Sequence, residues 1–262
     1  MSLSIAAFAP NSPLLLPPIG KNNLAALRAT TEAYDELIQT LVDQKIETIV
    51  LISPLGIIHK DSFTINLEPT FHCNFENFGD FATKFEVAGD VELAYQLKNA
   101  LTPKHRLQLT SVNPLDYGSA VPLFFIKQKL PKIKALPLYP SNGKLKDLFA
   151  FGQTLRHELE LSPKKIAVIA SGSLSARLSK LSPAGYSLKA RGWDKTIIKA
   201  LLANQSSEIL KQDRKTREEV LESGLNSLAP LLGCLAEIKT TPKQLSYEHP
   251  FGVGLLVLEF LL

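Results

Sequence analysis

The sequence predicts an α/β fold: a single domain over residues 1–262, with a largely parallel central sheet flanked by helices and a site at the C-terminal strand ends. Three observations predict it. Strand-like apolar runs alternate with amphipathic helical stretches from one end of the chain to the other, the signature of βαβ units. Thr48-Ile49-Val50-Leu51-Ile52 is an unbroken β-favouring run, as strands buried on both faces are, and it empties into Ser53-Pro54-Leu55-Gly56. No repeat, low-complexity tract or linker interrupts the 262 residues, a length that buries a substantial core.

The elements follow in order. Leu3–Ala9 reads as a strand, and the proline-dense stretch Pro10–Gly20 as a fixed loop, because four of its residues lack a backbone donor. A helix is expected from Asn22, with Leu24, Leu27, Tyr34, Leu37, Ile38, Leu41 and Val42 near one face. With Thr48–Ile52 this makes a right-handed βαβ unit. Phe63–Leu67 alternates as a strand does. Glu68–Gly89, rich in phenylalanine, reads as a long packed loop bordering a pocket. Asp90 is placed to cap a helix that ends before Pro103. Leu107–Leu109 reads as a strand, Ala120–Leu130 as a helix with Pro122 in its first turn, Ile133–Tyr139 as a strand, and Leu145–Leu159 as a helix. Lys165–Ala170 is a buried strand ending in Ser171-Gly172-Ser173-Leu174-Ser175. Helices are expected over Trp193–Ala203 and from Asp213 to about Cys234, broken near Gly224. Val253–Phe260 is the last strand, introduced by Tyr247–Gly252.

Composition excludes several classes. Lys plus Arg number 29 against 25 Asp plus Glu. The excess is small, and the basic groups Lys164-Lys165 and Arg214-Lys215 with Arg217 lack interleaved aromatics, so nucleic acid is not the expected partner. The longest strongly apolar run, Val253–Leu262, is too short to span a bilayer. Two cysteines far apart, Cys73 and Cys234, and no signal-peptide pattern at Met1–Ile5 give the expectation of a soluble cytoplasmic protein with reduced thiols.

Strand-ending loops expected to share one crevice carry the candidate site: Asn11, Leu55, His59, Asp116, Tyr117, Ser173, Ala176, Glu248 and His249. By residue type, Glu248, His249, Asp116 and Tyr117 can support acid–base work. The competing reading gives Asp116 a helix-capping role, Glu248 hydrogen bonds to backbone amides and His249 a place on the surface. His59 and His249 with Glu248 would supply the two histidines and one carboxylate of a non-haem iron site, but successive side chains of an extended segment point to opposite sides. His105 and His157 read as exposed. Gly172-Ser173-Leu174-Ser175 is not a nucleophile elbow, and no glycine-rich phosphate loop is present.

Several segments taken together resemble the B-type subunit of the class III extradiol ring-cleavage dioxygenases and the related Memo-like proteins. They are Phe8-Ala9-Pro10-Asn11-Ser12-Pro13, Ile52-Ser53-Pro54-Leu55-Gly56, Asp116-Tyr117-Gly118-Ser119, Ala170-Ser171-Gly172-Ser173-Leu174-Ser175 and Ser246-Tyr247-Glu248-His249-Pro250-Phe251-Gly252. The resemblance implies an α/β fold with the site at one strand end. In those dioxygenases a histidine in the first loop, a histidine in a Ser-Pro-His-Gly turn and a glutamate before the last strand hold Fe(II). The matching positions are Asn11, Leu55 and Glu248. The family's Asp-His-Gly is Asp116-Tyr117-Gly118, and the acid–base histidine that ends Ser-Gly-Asp-Leu-Ser-His falls on Ala176.

A leucine offers no lone pair, and a lone carboxylate does not retain a transition metal. The expectation is therefore a metal-free, catalytically inactive homologue that needs no cofactor and binds a small molecule or a protein partner in the former cleft. Alternatives are an Fe(II) ring-cleavage dioxygenase with substitute ligands, a metal-independent enzyme using Glu248, His249, Asp116 and Tyr117, and a member of a homo- or hetero-oligomer that completes another chain's site.

Overall fold

The structure, a computed structural model, describes residues 2–262. The first half of the chain forms β1 (Leu3–Ala9), the short turn α1 (Pro17–Gly20), α2 (Arg28–Asp43), β2 (Thr48–Ile52), β3 (Phe63–Asn66), β4 (Thr70–Phe75), β5 (Asp80–Gly89), α3 (Val91–Leu101), β6 (Leu107–Thr110) and α4 (Tyr117–Lys129). The second half forms β7 (Lys134–Tyr139), α5 (Leu145–Glu160), β8 (Ile166–Ser171), α6 (Ala190–Leu202), α7 (Ser206–Leu210), α8 (Arg214–Val220), α9 (Leu225–Cys234), β9 (Thr241–Glu248) and β10 (Leu255–Leu261).

Among the described residues the strands make one sheet in the order β4-β5-β7-β2-β8-β1-β10-β9, with β3 and β6 branching from β7. The four central strands are parallel, with Thr48 opposite both Lys134 and Ile166, and Ala6 opposite Val168. Every residue of β2 and β8 is buried, because helices cover both faces and leave no place for a polar side chain. Antiparallel pairs flank this core: β10 with β1 and with β9 on one side, and the β4–β5 hairpin and β3 on the other.

The period of two along each strand divides the interior in two. Ile5, Ala7, Ile49, Leu51 and Ile169 pack against α2 and α4. Phe8, Val50, Ile52 and Val168 face the other way, under α3, α5, α6 and α9.

The expected parallel α/β core is present, and five local readings need correction. Pro10–Gly20 is not a loop throughout: it holds a 3-10 turn over Pro13–Leu15 and α1, each opened by a proline in its first turn. Glu68–Gly89 is a β-hairpin rather than a loop: Phe71, Cys73 and Phe75 of β4 are buried in alternation, and β5 pairs with it. The short period-two signal there lies hidden among additional phenylalanines on the exposed side. The helix expected from Asn22 begins at Arg28, after a 3-10 segment over Lys21–Leu27. Helix α4 starts at Tyr117 rather than Ala120, because the Asp116 side chain accepts the Ser119 amide at 3.0 Å, which leaves Pro122 in the second turn. The approach to the last strand is itself a strand, β9, whose mixed burial carries no apolar run to announce it.

Candidate functional site

Strand direction brings the candidate residues to one edge. Asn11, Leu55 and Ser173 follow the C-terminal ends of β1, β2 and β8. Strand β9 is antiparallel to β10, which is antiparallel to β1, so β9 delivers Glu248 to the same edge. Strand β6 runs against the parallel core, since it is parallel to β3, which is antiparallel to β7. Asp116 therefore reaches β2 through its loop, pinned where Val112 N donates to Asn66 Oδ1 at 3.0 Å and Leu115 N to the His72 carbonyl at 2.9 Å.

Glu248 is engaged by its own chain. Its Oε1 accepts the Thr30 amide at 2.8 Å and the Thr30 hydroxyl at 2.5 Å. Thr30 lies in the first turn of α2, where amides have no intrahelical partner, and the preceding Leu27 gives no side-chain cap. Glu248 thus caps α2 from a distant strand, and its charge complements the helix N-terminus. One turn along the same helix, the Tyr34 hydroxyl donates to the Pro10 carbonyl, which ties α2 to the Asn11 loop. Asn11 is buried, and its Nδ2 has no hydrogen-bond partner among the described residues.

Asp116 is similarly occupied. It accepts from the Ser53 hydroxyl at 2.5 Å and from the Ser119 amide and hydroxyl at 3.0 and 2.8 Å. The Leu55 amide donates to Ser53 Oγ at 3.3 Å. Gly118 allows this close approach: a Cβ there would lie 2.4 Å from Ser53 Oγ and 3.1 Å from Leu55 Cδ1. The Tyr139 phenol is driven up by burial and by the Asp116 charge. Tyr117 is raised by the same two causes in the same order. Its ring meets Phe78 edge-on at 5.0 Å, and both rings are exposed.

A second polar group on this edge went unread in the sequence. Asp194 of α6 is fully buried, and its Oδ1 accepts the Ser175 hydroxyl at 2.5 Å and the Ser175 amide at 3.0 Å. Its Oδ2 accepts the Tyr247 hydroxyl at 2.6 Å. Burial lifts the Asp194 carboxyl above its usual range despite those bonds and the nearby His249. The His249 ring lies 5.8 Å from that of Tyr247. Tyr247, Glu248 and His249 line a shallow cleft of about 370 Å³. The sequence does carry a signal here: Asp194 is a carboxylate within the apolar stripe Ala190, Trp193, Ile197 and Leu201.

The remaining candidates are placed as follows. Ser173 is buried and exchanges hydrogen bonds with Ser223, its amide donating to Ser223 Oγ and its carbonyl accepting the Ser223 amide. The Ala176 amide donates to the Val220 carbonyl. His59 is half-buried and accepts the Asn142 amide at its carbonyl. His105 is not the exposed residue expected: it packs edge-on against Phe151 and is bonded to Thr154 at 2.9 Å, and burial lowers its pKa. Burial pushes the Cys73 and Cys234 thiols up to about 12.

Asn11, Leu55 and Glu248 present one carboxylate already hydrogen-bonded, one amide and one hydrocarbon. That set does not match the two imidazoles and one carboxylate of a non-haem Fe(II) centre. Among the described residues, no group of three or more His, Cys, Asp or Glu side chains is gathered as a metal site.

Fold and site together define an α/β protein whose candidate residues lie at the C-terminal strand ends. The family model described as the catalytic LigB subunit of aromatic ring-opening dioxygenase matches residues 6–258, and the chain belongs to that LigB family. It is 25% identical to Protein CA_C1420 of Clostridium acetobutylicum over 97% of its own length, and it spans 56% of the length of that relative. An uncharacterized Escherichia coli protein, JW3007, has the same fold, with a TM-score of 0.69 at 17% identity over 98% of this chain and 99% of that one.

Proposed function

We propose that this chain is a catalytically inactive, metal-free relative of the class III extradiol dioxygenases, with Memo-like affinities, and that its former cleft binds a small molecule or a protein partner. The observation that carries the reading is the pair of hydrogen bonds from Thr30 to Glu248 Oε1. A carboxylate that caps a helix has a structural task that holds it in place without a metal. Leu55 at the matching ligand position and Ala176 at the position of the acid–base histidine support the same conclusion. Binding is supported by exposed apolar side chains near the candidate residues: Ile57 and Ile58 follow Leu55 in the loop after β2, and Phe78 meets Tyr117 edge-on. Two buried, free cysteines suit a reducing compartment such as the cytoplasm.

The test is metal analysis of protein purified without chelators, followed by anaerobic Fe(II) loading and dioxygen uptake with a catechol. The expected result is far less than one metal per chain and no catechol-dependent uptake. Stoichiometric iron, zinc or copper, or uptake that depends on catechol, would overturn the proposal.

A further inference from the structure

A second cleft opens at the same edge of the sheet, on its opposite face. The loop after β2 joins the two places. Leu55 ends beside Gly118, next to α4, whereas His59 accepts the Asn142 amide at 2.8 Å from the loop after β7. Lys60 then borders a cleft of about 950 Å³, formed with the start of α5, with α8 and with the α8–α9 connection. Small-molecule sites occupy roughly 300–1,000 Å³, so the space suits a ligand of substantial size.

The charges lining it do not cancel. Arg214 pairs with Glu218 at 2.7 Å and Arg217 with Glu222 at 2.6 Å, while Asp61 pairs with Arg106 outside the cleft. Lys60, Lys144 and Lys146 remain, none with an ion-pair partner among the described residues, against one unpaired carboxylate, Asp147. Over the whole lining, five cations (Lys60, Lys144, Lys146, Arg214 and Arg217) stand against four carboxylates (Asp61, Asp147, Glu218 and Glu222), an excess of one positive charge.

Arg217 is a fixed group rather than a mobile surface cation. Its side chain is 16% exposed, its Nε donates to Glu222, and its Nη2 donates to Asn226 at 2.7 Å. Nη1 has no partner among the described residues. Lys144, the N-cap residue of α5, makes no side-chain cap, and the first turn of that helix, which also carries Asp147, borders the cleft with the positive end of its dipole. Leu210 and Leu221 supply apolar surface alongside.

We infer that this cleft binds a small phosphomonoester carrying an apolar group. The anionic group is met by the lysines that have no ion-pair partner among the described residues and by the fixed guanidinium, with Lys60, Lys144 and Arg217 as its donors, and the apolar group lies on Leu210 and Leu221. This site is separate from the Glu248 edge and does not rest on the function proposed above.

Titration calorimetry on the full chain at fixed ionic strength tests it, with phenyl phosphate, inorganic phosphate and phenol as probes. Phenyl phosphate is expected to bind with one-to-one stoichiometry, inorganic phosphate more weakly, and phenol not at all. The double variant Lys60→Ala/Lys144→Ala weakens phenyl phosphate binding about tenfold or more, as loss of charge-assisted hydrogen bonds does. Asp147→Asn tightens it, and Lys195→Ala, an exposed lysine on α6, leaves it unchanged. Unaltered melting temperatures establish that the variants are folded. The inference fails if phenyl phosphate shows no saturable binding at millimolar concentration. It also fails if the double variant binds as wild type does, or if Lys195→Ala weakens binding equally.

Discussion

Replacing Glu248 with alanine separates a structural carboxylate from a catalytic or metal-binding one. The substitution removes the only acceptor, among the described residues, for two donors of Thr30, a residue with no exposed surface. A hydrogen bond to a charged group contributes about 1.5–3 kcal/mol, and a buried donor left unpaired costs about 1–3 kcal/mol. The two bonds share one oxygen and are not additive, so about 3 kcal/mol is the expected loss for Glu248→Ala. For a chain of this size that corresponds to roughly 6–12 °C in melting temperature. Glu248→Gln keeps an acceptor but loses the charge facing the helix N-terminus, and is expected to cost about 1 kcal/mol. Urea denaturation gives the numbers, and a double-mutant cycle with Thr30→Val isolates the hydroxyl's share. A Glu248→Ala stability within about 0.5 kcal/mol of wild type, the range of ordinary surface changes, would refute the capping role and leave Glu248 a free functional carboxylate.

Two further outcomes follow from the same contacts. Burial alone would raise the Asp90 carboxyl, but hydrogen bonds from Lys164, Thr48 and the Leu93 amide outweigh it and hold the group below its usual range. Its contribution is therefore present above the unfolded carboxylate pKa of about 3.9 and lost as pH falls through the lower folded value. Lys164→Ala should cost about 2 kcal/mol at neutral pH, and the deficit should shrink under acid, which urea titrations at several pH values will read. At Gly118 an added Cβ would meet Ser53 Oγ at 2.4 Å, so Gly118→Ala should displace the Ser53–Asp116 bond. A loss of about 2 kcal/mol is expected, as overpacking costs, together with chemical-shift changes at Leu55 and Tyr117; wild-type spectra would exclude it.

Much of the fold is legible along the chain because the central strands are buried on both faces and so cannot alternate. β2 and β8 declare themselves as apolar runs, and α3 and α4 carry Asp90 and Asp116 at their N-caps. The edge elements are less legible. β4 buries only alternate residues, and β9 has one face near solvent, so each offers a short, mixed pattern. At the site, the sequence identifies Asn11, Leu55, Asp116 and Glu248 as positions of interest, since turn residues and family motifs are local in the chain.

Their partners are not local. Thr30 lies 218 residues from Glu248, Ser53 lies 63 from Asp116, and Tyr247 lies 53 from Asp194. A hydrogen bond is decided by position in space, and nothing in the pattern around Thr30 marks it as the residue that engages Glu248. The sequence by itself determined the α/β class, the strands of the parallel core and the residue types standing at the family's ligand positions. Only the tertiary structure decided what those residues do, because it sets which unpaired donors lie within reach of each carboxylate. The same holds for the cleft at Lys60: chain segments around residues 60, 144 and 217 meet there, and no periodicity in the sequence brings them together.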